Sequence, residues 1–224
     1  MSRFYPILVD LHGKNALVVG GGKVAQRKIE TLLEHGATVQ VVARELTAEL
    51  EQLRSAGKIR FLGSEFSEAF LDGVFVVFAA TDDASLNGKV SEAARQRGLL
   101  VNAVDQPADC NFIVPSILSR GDLLIAVSTS GKSPAFARKV RVELEQHFGE
   151  EYGFFLNLMG NLRKEILRLG LSQEEKKSAF EELVTSDLLP AIKEKNWDLA
   201  SRLIEKVMGR PVSKNQILDF IKAE

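Results

Sequence analysis

Short apolar runs separated by amphipathic stretches set the rhythm of the first hundred or so residues. Ala16 to Val19, Val39 to Ala43, Ile59 to Leu62, Val74 to Ala80 and Leu99 to Val101 are too short for helices and rich in β-branched and other apolar residues, so they predict buried strands. Between the first two runs, Ala25, Ile29, Leu32 and Leu33 recur at helical spacing, and Gly36 stands where that helix would stop. Leu46, Leu50 and Leu53 predict a second helix ending near Gly57, and a third runs from Ala84 to about Arg97 with Gly98 as its stop. The order βαβαβ followed by βαβ predicts a parallel sheet with right-handed crossovers. Its ligand cleft opens at the carboxyl ends of the strands, so functional loops should follow strands.

After Pro107 the pattern changes. Phe112-Ile113-Val114-Pro115 and Asp122 to Ser128 read as two strands joined around Ser119-Arg120-Gly121, followed by a helix from about Ser133 to His147. This short piece could hardly bury a core alone and is expected to pack on its own sheet domain or on another subunit. From Glu150 onward the chain reads as wholly helical, with Phe155, Leu158, Leu162 and Ile166, and later Leu199, Leu203, Ile204 and Val207, set among charged residues. No internal repeat or low-complexity linker interrupts it. The boundaries expected are 1–113, 114–149 and 150–224.

Composition narrows the function. The 224 residues carry 29 lysines and arginines against 30 aspartates and glutamates, a formal charge of −1, so no global basic field exists to hold nucleic acid and any anion site must be local. A single cysteine, Cys110, rules out an internal disulfide framework and fits a reducing compartment, so cytoplasm is expected. The longest apolar runs, such as Val74 to Ala80 and Leu123 to Val127, fall far short of the roughly 20 residues of a membrane helix, and no membrane partner is expected. Met1 to Pro6 leads into Ile7-Leu8-Val9-Asp10, which is charged too soon for a signal-peptide core, so the N-terminus reads as folded protein.

Gly20-Gly21-Gly22-Lys23-Val24-Ala25 directly follows the first strand and opens the first helix. It matches the G-x-G-x-x-G/A dinucleotide fingerprint with Ala25 in third place, which makes the sheet domain Rossmann-type. Gly20 permits the tight turn, Gly22 lets backbone approach a pyrophosphate, and the helix-start amides of Lys23 and Val24 meet its charge. The second strand lacks the terminal acid that usually holds the adenine ribose of NAD. Ala43 ends it, Arg44 stands just beyond and leaves NADP open, and Glu45 is a displaced substitute. Thr81-Asp82-Asp83 follows the fourth strand, where it can line the cofactor cleft, cap the next helix, or do both.

Val104 and Asp105 lie just past the fifth strand, in the expected cleft, where a carboxylate can act as a base. An aspartate two residues before a proline is also a common turn former. Ser128-Thr129-Ser130-Gly131-Lys132-Ser133-Pro134 leads into a helix carrying Arg138, Lys139 and Arg141, with Ser133 as N-cap and Pro134 at the first helical position. It is not a P-loop, because the required glycine five residues before Gly131 is Ala126. The string is either a hydroxyl-rich anion loop suited to ligand carboxylates or simply a capped helix with a solvated basic face.

Tyr5-Pro6-Ile7, Gly20 to Lys28, Asn102 to Phe112 and Ser128 to Arg138, taken in order, resemble the precorrin-2 dehydrogenase family, which includes the N-terminal module of sirohaem synthases. The likeness spans roughly residues 1 to 150, and the helical tail resembles the extra domain of stand-alone members. The resemblance implies an α/β fold in which a Rossmann-type NAD-binding domain is joined to a small α+β dimerisation segment and a C-terminal helical domain, assembled as a homodimer. It implies oxidation of precorrin-2 to sirohydrochlorin with NAD as cofactor, Asp105 as the catalytic carboxylate, and Ser128, Thr129 and Ser130 near the tetrapyrrole. Lys132 and Arg138 would then face substrate carboxylates, with Lys139 and Arg141 as further candidates.

Some members also insert iron or cobalt into sirohydrochlorin, which remains open here. His12, His35 and His147 are scattered and Cys110 is the only thiol, so no resident metal site is expected. Ending at Glu224, the chain is expected to lack the methyltransferase module of the fused synthases. The main rival is a non-enzymatic NAD(H)-sensing dimeric regulatory domain, which would not need Asp105. A short-chain dehydrogenase is disfavoured because Tyr152 is followed four residues later by Leu156, and Tyr5 by Val9, rather than by lysine.

Overall fold

Five parallel strands organise the first half of the molecule in a computed structural model, which describes residues 4–222. They are β1 (Asn15–Val19), β2 (Thr38–Val42), β3 (Ile59–Gly63), β4 (Val76–Ala79) and β5 (Leu100–Ala103), in the sheet order β3-β2-β1-β4-β5. Each runs parallel to its neighbours. The crossovers are α1 (Lys23–Glu34), α2 (Ala48–Ser55) and α3 (Ala84–Gln96). Alternate residues along the strands face opposite layers, as the period of two demands. Ala16, Val18, Val41 and Phe78 pack with Ile29 of α1 and Leu50 of α2, whereas Leu17, Val19, Val77 and Val101 pack with Val90 and Ala94 of α3. Both faces are covered over the central strands β1 and β4, which read as apolar runs, whereas the edge strand β3 keeps Arg60 exposed.

The α/β class expected from the sequence holds, and the five strands and three helices fall within a few residues of their expected ranges. Two single-turn 3-10 segments, Glu68–Leu71 and Pro107–Asp109, carry no clear periodicity and went unseen in the sequence. One expectation fails: Phe112 to Pro115 is not a strand, and the hairpin is β6 (Ser116–Arg120) and β7 (Leu123–Val127), turning at Gly121-Asp122. The apolar run is used elsewhere, because Phe112 packs edge-on against Phe78 with ring centroids 5.7 Å apart. Asn111 binds the segment to the flank of β5, its amide donating to Val101 O at 3.1 Å and its side-chain oxygen accepting from Val101 N at 2.8 Å. Pro115 has no amide to offer a ladder.

The chain divides into two compact units, Met1–Val114 and Pro115–Glu224. Residues 4–14 of the first form neither helix nor strand, and Tyr5, Ile7 and Leu8 are exposed. The expectation of a folded N-terminus concerns Met1 to Arg3 as well, and these lie outside the described residues. The second unit holds the β6–β7 hairpin, α4 (Pro134–His147), α5 (Glu151–Arg168), α6 (Gln173–Thr185), α7 (Leu188–Lys193), α8 (Trp197–Met208) and α9 (Lys214–Ile221). Leu158, Leu162, Ile166, Leu183, Leu188, Ile204 and Ile217 form a closed core among α5 to α9, as the helical periodicity predicts. Among the described residues no helix is long and apolar enough to cross a membrane.

Candidate functional site

The sheet order creates a switch point between β1 and β4. The chain leaves β1 towards β2 on one side and returns to β4 on the other, so the loops after these two strands diverge and leave a crevice at their carboxyl ends. The strand ladder continues to the very edge of this crevice. Gly20 N donates to Val42 O at 2.8 Å, Ala80 N to Val19 O at 2.7 Å, and Val104 N to Ala79 O at 2.9 Å. The result is a cleft of about 900 Å³ bordered by the loops after all five strands.

Every cofactor residue expected from the sequence lines this cleft: Gly20, Gly22, Lys23 and Val24 from the first turn, Ala43 and Arg44 after β2, Thr81 and Asp82 after β4, and Val104 after β5. Asp105 lines it too. Asp105 and the glycine turn therefore border one cleft. Glu45 to Thr47, Ser64 to Phe66, Asp83 and Leu86 also border it, with Val19, Gly21, Val42 and Ala80 at or just beyond the strand ends. Ser64 to Phe66 were missed in the sequence, although the position just after a strand was signal enough.

The three glycines do different work. Gly20 has φ +129°, and a Cβ there would collide with Ala80 O. At Gly21 a Cβ would strike Glu45 O, and the Gly21 carbonyl accepts from Thr47 N at 3.1 Å. A Cβ on Gly22 would meet no protein atom within 4 Å. Steric need within the protein thus explains Gly20 and Gly21 but not Gly22. Gly22 is the N-cap of α1, no side chain caps that helix, and its first turn has no acid, whereas α2 and α3 are capped by Thr47 and Asp83. Uncapped amides beside an open glycine fit the diphosphate of a dinucleotide. The side-chain charge of the cleft does not supply this, since Lys23 and Arg44 share it with Glu45, Glu65, Asp82, Asp83 and Asp105.

Asp105 is exposed and has φ +59°, a left-handed conformation that aspartate tolerates better than most residues. Its turn-forming and cleft-lining readings therefore coexist. The loop around it is bound back onto the sheet domain by side chains. Gln106 Nε2 donates to Ala84 O at 3.0 Å, Asn102 Nδ2 to Phe112 O at 3.2 Å, and Ser91 Oγ to Asp109 O. Cys110 Sγ accepts from Ala103 N at 3.2 Å and faces the carbonyls of Ala103 and Gln106 as a donor. Burial pushes this thiol upward against the lowering pull of the Ala103 amide, which favours a structural thiol over a nucleophile.

The hydroxyl loop lies in the second unit. Ser130 has φ +52°, its amide donates to Ser128 Oγ at 3.1 Å, and Ser133 N donates to Thr129 Oγ1 at 3.1 Å. Ser133 caps α4 through Phe136 N. Ser128 and Thr129 therefore shape the turn with their oxygens and keep their O–H groups as donors. Lys132 and Arg138 are exposed and make no ion pair among the described residues, whereas Lys139 and Arg141 pair along α4 with Glu143 and Glu145. Two of the scattered histidines bond back to a helix carbonyl four residues earlier, His35, the C-cap of α1, through Nδ1 to Thr31 O at 2.7 Å and His147 through Nδ1 to Glu143 O at 2.9 Å.

Comparison with known proteins agrees with this geometry. Residues 7–116 match the NAD(P)-binding family model, and residues 120–147 match the model of the sirohaem biosynthesis protein central region. A sirohaem synthase of Photorhabdus laumondii is 42% identical over 179 residues, covering 80% of this chain and 38% of that protein. One from Sodalis glossinidius is 49% identical over 142 residues, 63% of this chain and 30% of that protein. Sirohaem synthase 1 of Aeromonas salmonicida is 37% identical over 221 residues, 99% of this chain and 44% of that protein. The chain thus spans less than half the length of these curated relatives. The solved structure of SirC, a precorrin-2 dehydrogenase, superposes with a TM-score of 0.77 at 27% identity, covering 92% of this chain and 100% of that one. The dinucleotide cleft, the two adjoining family matches and these relatives point the same way: the chain is similar to sirohaem synthases over part of their length and to a precorrin-2 dehydrogenase over the whole of its length.

Proposed function

We propose that this chain dehydrogenates precorrin-2 to sirohydrochlorin in sirohaem biosynthesis, with NAD as the hydride acceptor. The observation that carries the reading is that Asp105 and the Gly20–Gly22 turn border one cleft. SirC, over the whole of its length, supplies the reaction class. The overall change is balanced: precorrin-2 and NAD⁺ give sirohydrochlorin, NADH and a proton.

In this reading the open backbone at Gly20 and Gly22 and the amides of Lys23 and Val24 hold the diphosphate, while Ala43 and Arg44 border one half of the dinucleotide and Thr81, Asp82 and Val104 the other. Arg44 shares its side of the cleft with Glu45 and Glu65, so a 2′-phosphate would meet two carboxyl groups and one guanidinium, which favours NAD over NADP. Bound NAD would supply a two-electron acceptor. Asp105 accepts the proton that leaves as conjugation extends, and its loop, fixed by Gln106, Cys110 and Asn111, holds the carboxyl without reorganisation. Ser128, Thr129, Ser130, Lys132 and Arg138 are read as contacts for the carboxylates of the tetrapyrrole. We also infer a homodimer. The compartment fits the cytoplasm, given the lone thiol.

Anaerobic mixing of the protein with precorrin-2 and NAD should develop sirohydrochlorin absorbance together with that of NADH. Asp105→Ala should still bind NAD but lose turnover by at least about a hundredfold, the usual scale for a lost general base. Full turnover in that variant would remove Asp105 from the mechanism. Cofactor binding by the unaltered protein without any reaction would favour the NAD(H)-sensing domain. Adding ferrous or cobaltous ion to the same assay tests metal insertion.

A further inference from the structure

Asn87 and Ser91 are the buried polar side chains of the described residues, and Asn87, on α3, is only 2% exposed. A polar amide on the apolar stripe that carries Val90 and Ala94 is costly unless every hydrogen-bonding group is matched. It is matched, and by one residue. Thr81 N and Thr81 Oγ1 both donate to Asn87 Oδ1, at 3.1 and 2.7 Å, and Asn87 Nδ2 donates to Thr81 O at 2.9 Å. The side-chain amide thus takes both backbone groups of Thr81, as a neighbouring strand would, at the point where β4 has ended. Asp83 N donates to Thr81 Oγ1 at 3.2 Å and Asp83 caps α3, which closes the rest of the loop.

We propose that Asn87 is a positioning residue for the cofactor cleft: it freezes the β4–α3 loop, and with it the wall formed by Thr81 and Asp82, before any ligand arrives. The inference rests on the cleft taking NAD. In a doubly wound sheet the strands on either side of the switch point serve different halves of a dinucleotide, and β1 to β3 take the adenosine half. Thr81 and Asp82 follow β4, on the other side. Asn87 therefore acts on the nicotinamide half and leaves the adenosine half alone. Pre-forming a wall removes the ordering cost from binding, so its loss is read as weaker affinity.

Asn87→Asp keeps the volume and the acceptor but replaces the donor facing Thr81 O with an oxygen. Titration of the purified variant should show NAD binding weakened about tenfold, the scale of one lost buried hydrogen bond, with ADP binding unchanged within about twofold. ADP is the internal measure of an intact fold, because a general loosening of the domain would weaken both. If circular dichroism shows Asn87→Asp to be unfolded, Asn87→Ser, which shortens the clamp without adding charge, carries the same comparison. Equal weakening of both ligands, or of neither, overturns the role of Asn87 while leaving the cofactor reading standing. An unaltered protein that binds neither NAD nor ADP overturns that reading and this inference with it.

Discussion

Gly20 and Gly22 are the same residue type two positions apart, yet the surroundings assign them opposite sensitivities. Gly20→Ala places a Cβ into Ala80 O at a positive φ, so it should destabilise the sheet domain by several kcal/mol or prevent folding. Gly22→Ala meets nothing in the protein, at φ −82°, and its melting temperature should lie within a few degrees of the unaltered protein's. Its NAD affinity should nevertheless fall about tenfold or more, because the methyl stands where backbone and diphosphate would meet. Calorimetry and a binding titration on the two variants separate these roles, and a Gly22→Ala protein that binds NAD normally would move the diphosphate elsewhere. The glycine motif was legible because spacing and context agree. Which glycine serves the fold and which a ligand was not, since that depends on Ala80 and Glu45, far along the chain. Asn87 shows the same limit: a polar residue on an apolar stripe is visible in sequence, but its partner is not.

At the scale of elements, the sequence predicts best where one periodicity has one use. The central strands β1 and β4 are buried on both faces, and the apolar runs of all five strands read correctly. Phe112 to Val114 has the same apolar composition yet packs as a clip beside β5 and Phe78, because Pro115 and the side chain of Asn111 decide its path. Helix starts were legible where a cap was present, as at Ser133. The fullest cap opens α6, a start the helical periodicity did not mark, with Ser172 Oγ accepting from Glu175 N at 3.2 Å and Glu175 Oε2 accepting from Ser172 N at 2.8 Å. Hydrogen bonds from the Ser172 backbone and side chain hold the Glu175 carboxyl below its usual range. A carboxyl depressed on folding contributes stability that is complete above its unfolded value and lost as pH falls through the folded one. Glu175→Gln keeps an acceptor oxygen but cannot titrate, so it should flatten part of the acid limb of the melting curve below the ordinary glutamate range and change little near neutrality. An unchanged acid limb would assign the pH dependence to other carboxyls, such as Glu151.

The whole molecule is the scale at which sequence says least, because a face that lacks a neighbour within the chain looks like any amphipathic strand. Within the hairpin, Leu118 is buried while Ile117 and Ser119 are exposed, and opposite them Leu124 and Ala126 are exposed in register, Ile117 against Ala126 and Ser119 against Leu124. One face of a two-stranded ribbon thus lies against α4 and the other presents isoleucine, leucine and alanine to solvent. A ribbon of two strands is marginal by itself, and an uncovered apolar face on it calls for a neighbour. The homodimer we infer supplies one of known shape, since a two-fold axis brings the same patch from a second copy against it. Ile117→Glu combined with Leu124→Glu leaves the packing on α4 alone and should convert a dimer to a monomer by light scattering at micromolar concentration. Every residue lining the dinucleotide cleft falls between Val19 and Asp105, inside the first unit with its own two core layers, so the monomeric variant should bind NAD with affinity within about threefold of the unaltered protein. A variant that remains dimeric would shift the interface away from the hairpin, and one that becomes monomeric and loses NAD would make the cleft depend on the second copy.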